Sequence, residues 1–262
     1  MAVKWGVIGC GGIADRRTIP EGFMASPLAE LVIVQDAAEE RARAVAEKYG
    51  VAEWSTDERA VVEHPDVEAV YVATPTYLHH DHVIMAAQAG KHVLCEKPLA
   101  LNVPQAEEMV EACHDAGVKL GVNFMMRFHA CHQWLRQAIV SGRLGKPVLA
   151  KAELTCWYPP IPGAFRQDPK LGGGGALIDM GNHCIDLVEY LFGQRVRRVA
   201  CFVANLVQGY ASEDTAAVIA ELDGGAIAMV NALFNVPDAA AKNMLMLYGS
   251  RGGAYTFGTI GQ

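Results

Sequence analysis

Residues 3–14, VKWGVIGCGGIA, place an apolar run directly before a glycine-rich turn, and the fold of the first half of the chain is read from that junction. The run lacks the polar alternation of a half-wet strand and reads as a strand buried on both faces. In the turn GCGGIA, Gly9 permits a tight bend, Gly11 lets the backbone approach a pyrophosphate, and the small Ala14 lets helix and strand pack closely. The helix that opens around Gly12 and Ile13 offers its first N–H groups to phosphates. Four further strand-like runs follow: LVIVQD (31–36), EAVYVAT (68–74), HVLCE (92–96) and KLGVNF (119–124). They alternate with helix-like stretches such as AEERARAVAEKYG (38–50) and PQAEEMVEACHDAG (104–117), both closed by glycine. This alternation predicts a parallel, doubly wound α/β sheet over residues 1–124.

Ligands of such sheets bind beyond the carboxyl ends of the strands. Asp36 ends the second strand, where a carboxylate receives the hydroxyls of an adenosine ribose. Its separation from Gly11 exceeds the usual ~20 residues, and a solvated aspartate in an ordinary turn is the competing reading. Ala37 and Ala38 follow, so no arginine stands immediately beside Asp36, and Arg41 and Arg43 lie a turn or more into the next helix. On that basis NAD is expected to be preferred over NADP by at least about tenfold, with Arg16 and Arg17 as the cations that could oppose it. Thr74, Pro75, His79, Glu96 and Lys97 should converge on the same crevice. His79, His80 and His82 sit at a helix start with a spacing that aims them apart, and no cysteine or carboxylate completes a shell, so no metal is expected. In HVLCEKPLALN (92–102) a hydrophobic strand delivers Glu96 and Lys97 to its carboxyl end, and Pro98 holds the lysine backbone extended.

Beyond residue 124 the pattern changes. KPVLAKAELTCWY, VRRVACFVANLV, DTAAVIAELDG, AIAMVNALFNV and NMLMLYG read as successive strands, with Asp223-Gly224-Gly225 as a hairpin turn. FHACHQWLRQAIVSGRLG (128–145) reads as a helix entering this half. Residues 125–262 are therefore expected to form an α+β domain with a mainly antiparallel, open sheet. Within it, LGGGGALIDMGNHCIDLVEYLFG (171–193) reads as a glycine run followed by a helix through Phe192, with Asp179, His183 and Asp186 along one face. Such a polar stripe on an apolar helix needs partners or a cavity, because an unpaired buried polar group costs about 1–3 kcal/mol. A core histidine satisfied by the aspartates is one reading. The glycine run, which lets something approach the backbone closely, favours a site.

The 262 residues carry a net charge of −7, which gives no electrostatic reason to expect nucleic acid or an anionic membrane as partner. MAVKWGVIGC is too short an apolar run for a signal peptide, and no run reaches a membrane span. The seven cysteines, odd in number and scattered, indicate free thiols in a reducing cytoplasm. AIAMVNALFNV and NMLMLYG are more apolar than one buried face requires, which predicts a homo-oligomer built through the second domain, most simply a dimer.

Taken in order, GCGGIA, CEKP and GGGGALIDMGNHCIDL resemble the glucose–fructose oxidoreductase and inositol dehydrogenase family over nearly the whole chain, from residue 4 to about 250. The resemblance implies a Rossmann domain followed by an α/β domain with a large open sheet. It implies hydride transfer between a nicotinamide and a carbon bearing a hydroxyl or carbonyl, often on a sugar or cyclitol. It assigns the catalytic roles to Lys97, Asp179 and His183, a nicotinamide-ribose contact to Glu96, and a cis bond to Lys97–Pro98. Asn123, Arg127, Trp157, Tyr158 and Arg166 are candidate substrate residues with an equally open structural reading. Two other functions stay open: a hydrolase or lyase that uses bound NAD transiently, and a non-catalytic dinucleotide sensor, which would have no need to keep Lys97, Asp179 and His183. Relatives usually continue well past LYGSRGGAYTFGTIGQ, so the second domain is expected to be a short form or an incomplete one.

Overall fold

The computed structural model describes residues 2–241 and 243–259. The chain divides into two compact units, one ending at Asn123 and the other beginning at Phe124.

In the first unit, β1 (Val3–Ile8), β2 (Ala29–Gln35), β3 (Glu53–Ser55), β4 (Ala69–Val72), β5 (His92–Cys95) and β6 (Leu120–Val122) form one sheet in the order β3-β2-β1-β4-β5-β6. Every neighbouring pair is parallel. Helices α1 (Glu39–Tyr49), α2 (Arg59–Val62), α3 (His79–Gln88) and α4 (Val103–Asp115) connect the strands. Alternate residues of one strand serve two different cores. Val7, Val34 and Tyr71 pack with Ile19, Phe23 and Val45. Ile8, Ile33, Val70 and Val72 pack with Val61, Val83, Val93 and Met109. Both faces are apolar, which is why these strands show no polar alternation. The strand order reverses between β1 and β4, and the glycine turn lies at that switch point.

Two local features depart from the sequence reading. The three-residue β3, EWS, is too short and polar to be recognised as a strand, and it pairs with β2 at the sheet edge. The segment after the glycine turn, Ala14–Phe23, is π-helical rather than α-helical and contains Pro20; proline lacks the N–H that an α-helical ladder requires.

In the second unit, β7 (Pro147–Thr155), β8 (Val196–Ala204), β9 (Thr215–Leu222), β10 (Ile227–Leu233), β11 (Met244–Gly249) and β12 (Gly252–Phe257) form a sheet in the order β12-β11-β7-β10-β9-β8. Only the β7–β10 pair is parallel. The Asp223-Gly224-Gly225 turn joins β9 to β10, with Gly225 at φ +85°. Helices α5 (Ala130–Val140), α6 (Pro169–Gly172) and α7 (Asn182–Phe192) complete the unit. Leu187, Val188 and Leu191 of α7 and Leu135 of α5 pack with Ala216, Val218, Val230 and Leu245 of the sheet. The opposite face carries a registered rung of Ala200, Ile219, Met229, Lys151, Met246 and Tyr255. Ile219, Met229 and Tyr255 on it are 54%, 37% and 68% exposed. Among the described residues no helix is long and apolar enough to cross a membrane.

The expected single helix over the Asp179–Asp186 region is instead a π-helical turn, Leu177–Gly181, that runs into α7. The wider turn advances the chain by a smaller angle per residue than an α-helix.

Candidate active site

The first unit gathers its polar groups at the carboxyl ends of the strands. Gly9 has φ +83°, and a Cβ there would lie 2.8 Å from the Thr74 backbone nitrogen, so the turn after β1 is pressed against the end of β4. Gly9 and Cys10 both donate their N–H to the Gln35 carbonyl, each at 2.9 Å, tying the turn to β2. Gly12, at φ +50°, faces open space. Ile13 leads into the π-helical segment, whose Ala14 is fully buried. Burial pushes the Cys10 thiol up to about 12 with Asp36 adding to the shift, so Cys10 is inert packing beneath the turn.

Asp36 is buried, and the Ala38 N–H donates to its Oδ1 at 3.0 Å. Arg41, a turn into α1, reaches back to place Nη1 at 3.1 Å from Oδ1 and 3.4 Å from Oδ2. The absence of an arginine immediately after Asp36 in sequence is thus made up in space. Five residues of separation, bridging the start of a helix, carried no visible signal.

Thr74 and Pro75 follow β4. Both ring nitrogens of the buried His79 face carbonyl oxygens, Nδ1 that of Pro98 at 2.9 Å and Nε2 that of Thr74 at 2.8 Å. His79 thereby ties the end of β4 to the segment after β5. Burial lowers its pKa against the opposing pull of the two carbonyls. His82 Nδ1 lies 3.1 Å from Thr74 Oγ1, so His79 and His82 both reach Thr74, whereas His80 turns to Asp81 and Glu108.

Glu96 is buried at the end of β5. Its Oε1 accepts from the Tyr71 hydroxyl at 2.5 Å and from Asn123 Nδ2 at 2.7 Å, and its Oε2 accepts from the Lys97 N–H at 3.3 Å. Asn123, a substrate candidate by sequence, here serves Glu96. Tyr71 is fully buried and also contacts Thr18 Oγ1 at 2.9 Å, linking the π-helical segment to Glu96. Burial and the neighbouring Glu96 raise its pKa, so the phenol stays protonated. Sequence reasoning passed over Tyr71 as one aromatic in an apolar strand. The Lys97–Pro98 bond is cis.

In the second unit, Asp179 Oδ1 accepts from Arg166 Nε at 2.7 Å. The Arg166 guanidinium lies over the Phe165 ring, 4.4 Å from its centroid. His183 is buried on the first turn of α7, edge-on to the Phe124 ring at 6.1 Å. Asp186 is bound through both oxygens by Arg127, with Nε to Oδ2 at 2.8 Å and a second, shorter contact from Nη2 to Oδ1. Arg127 also stacks on Phe124 and Tyr190. Trp157 is exposed, and its backbone N–H donates to Asp238 Oδ1 at 3.1 Å.

The glycine run has a structural occupant. A Cβ on Gly175 would stand 2.0 Å from the Glu213 carbonyl oxygen, and the Glu213 carboxylate accepts from the N–H groups of Gly175 and Leu177 at 2.8 and 3.0 Å. What approaches this backbone is the chain itself, 38 residues further along.

A 3-2-1-4-5-6 parallel sheet with a glycine turn at its switch point and a buried carboxylate at the end of the neighbouring strand β2 defines a dinucleotide-binding protein. The chain belongs to the GFO/IDH/MocA oxidoreductase family: its NAD-binding Rossmann fold matches residues 3–124 and its C-terminal domain matches residues 132–255. The chain is 38% identical over 188 residues to 1,5-anhydro-D-fructose reductase of Ensifer adhaerens, covering 72% of this chain and 56% of that protein. It is 34% identical over 233 residues to myo-inositol 2-dehydrogenase of Thermotoga maritima, covering 87% and 68%. The structure of aldose-aldose oxidoreductase from Caulobacter crescentus, complexed with glycerol, superposes with a TM-score of 0.92 at 26% identity, covering 99% of this chain and 78% of that one. The chain thus spans about 56–68% of the length of these two sequence relatives.

NAD fits the residues present. Gly12 is open to solvent, Gly9 and Gly11 tolerate no side chain without displacement, and the Asp36 carboxylate stands beside the turn. Gly9, Gly11, Gly12 and Ala14 would cradle the pyrophosphate, and Asp36 would receive the adenosine ribose.

Proposed function

We propose that this chain carries the site of an NAD-dependent oxidoreductase that moves a hydride between nicotinamide and a hydroxyl or carbonyl carbon of a sugar, cyclitol or related cyclic alcohol. The names of the relatives, which act on inositols, anhydrosugars and aldoses, support the substrate class. One observation carries the reading: Lys97 leaves β5 between Glu96, whose carboxylate is held by Tyr71 and Asn123, and Pro98, whose carbonyl oxygen faces His79 Nδ1. An ammonium carried at the end of that strand would donate to the oxygen on which charge develops.

NAD, when bound, supplies the two-electron acceptor. During oxidation of a secondary alcohol His183 would take the hydroxyl proton, and during reduction it would return that proton to the carbonyl oxygen. Lys97 donates to the oxygen in both directions. Asp179, charge-paired with Arg166, orients the proton-handling group rather than acting as a base itself. Arg127 is committed to Asp186 within α7, and Trp157 offers an exposed side chain to a substrate.

The apolar outer face of the second sheet supports a homodimer assembled through it, since a rung of Ile219, Met229, Met246 and Tyr255 would be covered by its own copy about a twofold axis. The cytoplasmic setting read from the scattered thiols belongs to the same proposal.

The experiment is a panel of inositols, sugars and diols assayed by nicotinamide absorbance. Net reduction of NAD by a cyclic polyol is expected. Turnover of a sugar without net absorbance change would replace this reading with a redox-neutral one.

A further inference from the structure

We infer that Arg41 is the residue that sets dinucleotide selectivity, as a resident counter-ion on Asp36 that narrows the preference for NAD over NADP to less than about tenfold. This rests on the NAD-binding fold of the first unit and not on the proposed substrate.

The carboxylate and the cation differ in freedom. The Asp36 side chain is 10% exposed, fixed by the Ala38 N–H, whereas that of Arg41 is 56% exposed. Arg41 therefore covers a fixed anion with a movable guanidinium. Its stem crosses the glycine turn: a Cβ on Gly11 would fall 2.6 Å from Arg41 Cδ and 3.1 Å from Nε. The guanidinium thus stands at once beside the ribose-binding carboxylate and over the turn that receives phosphates.

Arg16 and Arg17, the other two cations named for this role, have partners other than Asp36. Arg16 Nε donates to the Gly12 carbonyl at 3.2 Å, and Arg17 pairs with Glu21 at 2.9 Å along its own helix.

A bare carboxylate at Asp36 would repel a 2′-phosphate carrying about −1.5 to −2 charges. Paired with Arg41, the same position is close to neutral and presents guanidinium N–H donors, which suit phosphate oxygens. NAD keeps its advantage because Arg41 Nη1 lies nearer Oδ1 than Oδ2, leaving Oδ2 the better acceptor for a ribose hydroxyl.

The test is fluorescence titration of the full chain with NADH and with NADPH, for the wild type, Arg41→Gln and Asp36→Ala. Glutamine keeps much of the stem over Gly11 and removes the charge. Wild type should bind both, with NADH favoured by less than about tenfold, a margin of about 1.4 kcal/mol. Arg41→Gln should weaken NADPH by about tenfold or more and NADH by less than about threefold. Asp36→Ala should reverse the preference by leaving Arg41 to the 2′-phosphate. Retained NADH binding by Arg41→Gln reports a folded site. If that variant binds neither nucleotide, Asp36→Ala decides alone, through reversal or its absence. An unchanged NADH-to-NADPH ratio in Arg41→Gln, or equal weakening of both, overturns the inference.

Discussion

Removing one oxygen atom, in Tyr71→Phe, probes how the first unit holds Glu96. The ring is fully buried and stays in the Val7–Val34 core, so packing is preserved and the change isolates the hydroxyl. That hydroxyl donates to a buried carboxylate at 2.5 Å, and a hydrogen bond to a charged group contributes about 1.5–3 kcal/mol. Glu96 keeps Asn123 and the Lys97 N–H, which places the expected loss in the lower half of that range, about 1.5–2 kcal/mol. A second consequence has a definite sign. The folded-state pKa of Tyr71 is raised by burial and by Glu96, so above about pH 10 the unfolded chain releases a proton that the folded chain keeps. The Tyr71 contribution is present in full below that pH and falls by about 1.4 kcal/mol per pH unit above it. Tyr71→Phe removes this share of the alkaline loss. Urea unfolding at pH 8 and again near pH 11 measures both effects. A variant as stable as wild type at pH 8, or one whose alkaline slope is unchanged, refutes the argument that this phenol holds Glu96.

Other parts of the molecule make separate predictions. His80 has its pKa raised by Asp81 first and Glu108 second, so the α3–α4 tether is present in full below about pH 6.5 and is lost as pH rises through the raised value. With both carboxylates well exposed and screened, His80→Ala should cost no more than about 1 kcal/mol at pH 5.5 and nothing at pH 8.5, checked by urea melts at the two values. Gly175→Ala forces a methyl into the Glu213 carbonyl and should destabilise by about 1–3 kcal/mol or more; a neutral outcome in thermal melts would mean that the segment carrying Glu213 yields freely. The double variant Ile219→Asp, Met229→Asp should convert a dimer into a monomer by light scattering, and a wild-type monomer would exclude the sheet face as an interface.

The sequence spoke most clearly where one physical cause leaves a local mark. Strands buried on both faces lose alternation, as Val70–Val72 and Val93–Cys95 do, and together with the helices between them this marks the parallel half. In β9 the burial alternates, with Ala216, Val218, Ala220 and Leu222 inward and Ile219 outward, although Ala217 and Ile219 leave no polar alternation in the sequence. Ion pairs left no such mark. Arg127 and Asp186 lie 59 positions apart, and Arg166 meets Asp179 from a loop, so neither substrate candidate could be seen as a partner of the α7 aspartates. The glycine run was visible while its cause was not, because Glu213 arrives from beyond β8. The π-helical turns escaped because helical periodicity is read at 3.6 residues and a five-residue turn is too short to show another period.

The central claim is that Lys97 is the donor at the reacting oxygen. The direct measurement pairs turnover and NADH affinity in Lys97→Ala, using the best substrate from the polyol and sugar panel. Loss of one preorganised donor costs about 3–4 kcal/mol, so kcat should fall by a factor of about 100 to 1,000 while the NADH Kd stays within about threefold of wild type. Turnover near the wild-type rate with that substrate would contradict the account.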